Sequence, residues 1–150
     1  MGAEVGPFMM AAINTKNVHR SNLLMGHPYG TDFVYDEMSV IDPKAPASFA
    51  MSAEGGPRPG EGPSQEERDT GFYDLVFIGV AKDGRKVKVS VHGDRDPGYG
   101  STSKLIAETA ICLVETPDVA GGVLTPGAAL GTRLIDRLQQ KAGLTFKVES

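Results

Sequence analysis

The 150-residue sequence predicts an α+β fold, an antiparallel β-sheet with helices packed on one face. Three observations carry the prediction. Residues 72–81 and 85–92 are strand-like runs around an Asp83-Gly84 turn, and in the second run Val87, Val89 and Val91 alternate with Lys86, Lys88 and Ser90. Two stretches with helical apolar spacing follow, and a last segment sets Leu144, Phe146 and Val148 against Thr145, Lys147 and Glu149. Strands, then helices, then one strand is the order expected when helices cover one side of an antiparallel sheet.

Along the chain, residues 7–25 carry Phe8, Met9, Met10, Ile13, Val18, Leu23 and Leu24 without one clean period and read as a short helix. Residues 33–40 interleave aromatic and β-branched residues with polar ones and read as a strand. The composition then changes. Five of the ten prolines lie between Pro43 and Pro63, with Gly55, Gly56, Gly60 and Gly62 among them and the hydrophilic run 65–69 behind. Such a segment buries too little apolar surface to offset its ordering entropy, so residues 43–71 are expected to form a long loop, either mobile or a lid or binding loop.

In the hairpin, the denser apolar content of 72–81 suggests the more central strand. For the next helix, Ser101, Thr102 and Ser103 are competent N-caps, and Leu105, Ile106, Thr109, Ala110 and Leu113 share one face. Cys112, beside Leu113, reads as a buried, inert thiol. The last helix has Thr125 as N-cap, Pro126 in its first turn, Leu130, Leu134, Ile135 and Leu138 as its stripe and Gly143 past its end.

Composition narrows the function. The length fits one domain. Fifteen basic against nineteen acidic residues, net charge -4, do not supply the clustered positive charge that nucleic acid requires. One cysteine cannot form an intramolecular disulfide, residues 1–12 hold Glu4 and no Lys or Arg, and Gly6 stands where a myristoylation signal has Ser or Thr. The longest apolar run, 75–81, is far short of the ~20 residues of a membrane helix. A soluble, cytoplasmic protein is expected. His19, His27 and His92 are scattered, which excludes the usual zinc spacings, and there is neither a G-x-G-x-x-G nor a Walker loop. Asp69-Thr70-Gly71 matches the aspartic-protease triplet, but the hydrophilic 65–68 before it does not make the apolar strand such a site needs.

Two helix starts hold the remaining chemistry. Residues 92–104 pack glycines, an Asp96-Pro97 turn, Tyr99 and three hydroxyls between a strand and a helix. Free N–H groups at such a start bind anions, and glycines allow close backbone approach; a well-capped turn is the alternative reading. Residues 121–127 are a second glycine-rich start, which reads equally as tight helix packing.

At these residues a resemblance emerges. Pro59-Gly60-Glu61-Gly62-Pro63-Ser64 with Glu66, Arg68 and Gly71, then Gly93-Asp94 and Asp96-Pro97-Gly98-Tyr99 with Thr102 and Glu108, then Gly122, Thr125-Pro126, Gly131 and Ala142-Gly143-Leu144-Thr145-Phe146 resemble the C-terminal part of the saccharopine dehydrogenase-like oxidoreductases, nearest the bacterial trans-acting enoyl reductases. Val18-His19-Arg20-Ser21, Tyr29-Gly30 and Phe33, Tyr35 and Glu37 resemble that family's segment after its dinucleotide domain. Arg95 separates Asp94 from Asp96, and His19 stands where a second arginine would accompany Arg20, both departures from the family pattern.

The resemblance implies that residues 1–150 are a substrate-side domain, that NAD(P) belongs to an N-terminal Rossmann domain absent from this chain, and that the isolated chain is inactive. The candidate contacts for a small-molecule substrate are Asp96, Tyr99, Ser101 and Thr102, with Arg20 and Tyr35 as secondary candidates, and no catalytic residue is assigned. The rival expectation is a stand-alone, non-enzymatic binding or homodimerisation module using an open sheet face.

Overall fold

In the computed structural model, which describes residues 4–41 and 60–149, the element order is β1 (Val5–Pro7), α1 (Ala11–Leu24), β2 (Met38–Val40), α2 (Gln65–Thr70), β3 (Tyr73–Val80), β4 (Lys86–Gly93), α3 (Gly100–Val114), α4 (Pro126–Leu130), α5 (Thr132–Lys141) and β5 (Leu144–Glu149). Both sheets are antiparallel, in keeping with the α+β expectation. The chain divides into two compact units, Met1–Gly56 with Gly121–Ala129 and Pro57–Ala120 with Leu130–Ser150.

In the first unit β1 pairs with β2, Val5 opposite Val40. The helix expected at 7–25 forms as α1. Its one buried residue is Asn22, whose amide donates to the Gly30 carbonyl at 2.8 Å and whose Oδ1 accepts from the Tyr29 N–H at 3.1 Å. Those bonds pin the turn after the helix, where Gly26, His27 and Gly30 all have positive φ. The strand expected at 33–40 contracts to β2, because the Glu37 carboxylate is drawn to α1: Asn14 donates to Oε2 at 2.9 Å and Tyr35 to Oε1 at 2.6 Å.

The second unit holds the core. Its sheet runs β3-β4-β5, with Phe77 opposite Val89 and Val89 opposite Val148. Directly paired residues share a face, so Tyr73, Leu75 and Phe77 lie on the side of Val91 and Leu144. Val91 and Leu144 are buried there with Cys112, Leu130, Leu134, Leu138 and Ala142. α5 packs on β5 and α3 on α5, and Arg137 joins the two helices through Glu108 at 2.6 Å and Glu115 at 2.5 Å.

Four expectations are corrected. Among the described strands β3 is at the edge and β4 at the centre; the apolar run of β3 reflects exposed residues on both faces rather than burial. Part of the expected 43–71 loop is α2, nucleated by a capping box in which Ser64 Oγ accepts from the Glu67 N–H and Glu67 accepts from the Ser64 N–H; residues 43–59 lie outside the described residues. The buried residues of α3 are Ser101 and Cys112, whereas Ile106 and Leu113 are exposed, because the face turned inward includes polar side chains. The last helix is broken at Gly131, whose φ of 54 ends α4 before α5 begins; Leu130, Leu134 and Leu138 still form the buried stripe, with Ile135 half-exposed.

Candidate functional site

The start of α3 is closed by its own side chains. Asp96 Oδ1 accepts from the N–H groups of Gly98 at 3.0 Å and Tyr99 at 2.9 Å, and Oδ2 accepts from Gly100 at 2.5 Å. The carboxylate therefore occupies the donors that an anionic ligand would need. α2 seals the other side. Asp96 N–H donates to the Arg68 carbonyl at 3.3 Å, and Arg95 pairs with Asp69. A Cβ on Gly100 would lie 2.6 Å from Asp96 Oδ2 and 2.9 Å from the Arg68 oxygen, so only glycine fits. Asp69 is thus a structural ion-pair partner on a helix, not the strand-end acid of a protease.

The other expected residues of this loop have distinct places. Thr102 Oγ1 donates to the Pro97 carbonyl at 2.7 Å. Ser101 is 1% exposed and shares a 2.9 Å hydrogen bond with the Tyr73 hydroxyl, so it is sealed from solvent. Tyr73 reaches it by lying across its cross-strand partner Gly93, where any Cβ would overlap the ring. Tyr99 is exposed, its ring resting on Gly62. The structure brings Asp96, Tyr99, Ser101 and Thr102 together, but only Tyr99 presents its side chain outward.

The second helix start, in the first unit, is built differently. Thr125 Oγ1 accepts from the Ala128 N–H at 3.3 Å, confirming its capping role, and shares a 2.7 Å hydrogen bond with Ser21 Oγ. Ser21 donates in turn to the Asn17 carbonyl at 2.8 Å. Arg20 Nη2 donates to the Val123 carbonyl at 2.7 Å. These contacts tie α1 to the 123–127 segment around an open groove of about 440 Å³, lined by Asn17, Arg20, Ser21, Thr125 and Gly127 among others. Arg20 is the single charged residue of that lining, so the groove favours a ligand with an anionic or carbonyl oxygen.

Tyr35 lies elsewhere in this unit, its phenol pushed up by burial and by its bond to the Glu37 carboxylate. Its ring belongs to a cluster in which Phe33 meets Tyr29 at 5.2 Å, His19 at 5.6 Å and Tyr35 at 6.3 Å. The sequence reading missed Asn22, Tyr73 and Ser21. A signal existed for Tyr73, since a glycine inside an otherwise β-branched strand marks a close neighbour.

The described residues do not fit a dinucleotide. Their strand pairings are all antiparallel, without the parallel strand, glycine turn and helix that cradle a pyrophosphate, and Asp96 already fills the glycine-rich start of α3. Among them no cluster of three or more His, Cys, Asp or Glu could hold a metal ion, and no helix is long and apolar enough to cross a membrane.

Comparison with known proteins places this stretch inside longer chains. It is 31% identical, over 93% of its length, to a trans-acting enoyl reductase of Mycobacterium ulcerans, of which it spans 40%. It is also 31% identical, over 91% of its length, to a Mycobacterium tuberculosis protein provisionally named for the same activity, of which it spans 39%. A trans-acting enoyl reductase of Mycobacterium bovis is 28% identical over 91% of the chain. No protein-family profile matches the chain. No solved structure matches it either.

Proposed function

We propose that this chain is the substrate-bordering portion of an enoyl-reductase-type oxidoreductase, with NAD(P)H held by other parts of a longer protein. The observation that supports this reading is the asymmetry of coverage: relatives named enoyl reductase match 91% of this chain while the chain spans 39% of them. The likeness to saccharopine dehydrogenase-like oxidoreductases belongs to the same proposal, as does a cytoplasmic setting in which Cys112 stays a free thiol.

The substrate class that follows is an α,β-unsaturated acyl compound. Reduction of such an alkene develops negative charge on the conjugated carbonyl oxygen, and a positioned cation or phenol stabilises it. Arg20, anchored by the Val123 carbonyl, is the substrate contact, in the groove of the first unit. Asp96, Ser101 and Thr102 hold the turn that presents Tyr99. Tyr35 holds Glu37.

The test compares the 150-residue chain with the longest reading frame containing it. NADPH binding is followed by nicotinamide fluorescence, and turnover by NADPH oxidation with a 2-enoyl thioester. The longer protein binds NADPH and reduces the thioester, while the 150 residues alone do neither. NADPH binding by the 150 residues alone, or a longer protein without enoyl-dependent oxidation, refutes the reading.

A further inference from the structure

The hairpin fixes which groups of β3 remain without a strand beside them. Ala81 donates to the Arg85 carbonyl at 2.8 Å and accepts from the Gly84 N–H at 2.9 Å, so both its backbone groups face β4. Backbone direction alternates along a strand. Leu75, Phe77 and Gly79 therefore bond to β4, and Asp74, Val76, Ile78 and Val80 point their N–H and C=O groups to the open edge. Among the described residues β3 has a strand on one side only.

Natural edge strands carry charges, prolines or bulges that prevent pairing with another chain. β3 has none from Leu75 to Val80, and its register with β4 is unbroken over all eight residues. Val76, Ile78 and Val80, on the face away from Ser101, are 55%, 67% and 62% exposed. Leu75 and Phe77 on the opposite face are 45% and 42% exposed. A partner for this edge must itself be a charge-free strand, apolar on both faces.

β3 meets that description itself, and we propose that the edge pairs antiparallel with β3 of a second copy, joining two three-stranded sheets into one of six strands. The outward groups select the register. With Phe77 opposite Phe77 of the second copy on the two-fold axis, Val76 lies opposite Ile78 and Asp74 opposite Val80, twice each. All four outward residues then exchange a donor and an acceptor, about eight hydrogen bonds in all. Shifting by one residue would set outward groups against inward ones. Each Asp74 meets a valine rather than another carboxylate, and three apolar side chains from each copy cover one another on the face away from the helices. This interface is independent of the reductase reading.

Sedimentation equilibrium and amide exchange test it, on the 150-residue chain and on the longer protein. The expected species is a dimer in both, with the N–H groups of Val76 and Ile78 protected in proportion to dimer content. Val76→Glu and Ile78→Lys should each halve the apparent mass, and the combined V76E/I78K chain should regain the dimer, because the new charges face each other across the axis. A monomer at all concentrations, a dimer in which V76E and I78K change nothing, or exchange at Val76 and Ile78 that ignores concentration overturns the proposal. The amide pattern is read on the unaltered protein, so a variant that fails to fold does not remove the test. A dimeric 150-residue chain within a monomeric longer protein also overturns it, since another segment of that protein then covers the edge.

Discussion

The two glycine-rich helix starts look alike in sequence and differ in what fills them. At α3 the donors are taken by a carboxylate four residues before the helix begins, and the glycines bring α2 and Asp96 against one another. At α4 the cap is a hydroxyl chain from Thr125 through Ser21 to Asn17, which leaves an arginine on an open groove. Glycines and hydroxyls before a helix are therefore not enough to mark a ligand site. What decides is whether an acid within reach neutralises the start, and Asp96 does so for one and no lining residue does for the other. Among the described residues the units differ in the same sense: the buried apolar residues all lie in the unit with the filled start, and the unit with the groove buries only Asn22.

That contrast predicts effects of declining size. Gly93→Ala drives a methyl group into the Tyr73 ring and should cost about 3 kcal/mol in denaturant unfolding, the upper end for over-packing. If the Tyr73–Ser101 contact is the reason, Tyr73→Ala in the same chain recovers part of the loss. Asp96→Ala leaves three N–H donors at the start of α3 without their acceptor and should cost about 2 kcal/mol, with no anion restoring it; restoration by millimolar phosphate would mean that the start is a ligand site after all. Arg20→Met, an exposed change, should alter stability by less than about 0.5 kcal/mol and raise the enoyl thioester KM of the longer protein roughly tenfold, the loss of one charge-assisted hydrogen bond.

The smallest effect is a titration. Burial and Glu37 hold the Tyr35 phenol up, so the unfolded chain loses that proton first, near pH 10. Stability should then fall as pH rises above that value. Absorbance at 295 nm should show a late-ionising phenol that Tyr35→Phe removes. A titration unchanged by that substitution would mean that the Glu37 contact does not persist in solution.

Much of the architecture was readable where local and tertiary forces agree. The Asp83-Gly84 turn, the valine alternation of β4, the Thr125 cap and the leucine stripe of 130–138 each have one consistent physical reading. Readings failed where one signal has two causes. Apolar residues on both faces of 72–81 signify a central strand when covered and an adhesive edge when not, and sequence does not say which. Ile106 and Leu113 attracted a helical face that the fold gives instead to Ser101 and Cys112, because the Tyr73 hydroxyl makes a buried serine acceptable. α2 was hidden by the prolines before it, although Ser64 and Glu67 already had capping-box spacing. Of the candidate site, the residues around Asp96 were correctly grouped, but their role was not visible, since only coordinates reveal that a carboxylate turns back onto its own backbone.

In the proposed function, ligand chemistry resides at the Arg20 groove and not at the α3 start. It is tested most directly by steady-state kinetics of Arg20→Met in the longer protein, with its unfolding midpoint measured on the same sample. KM should rise about tenfold with the midpoint unmoved. An unchanged KM, or a KM that rises only as the protein unfolds, would contradict it.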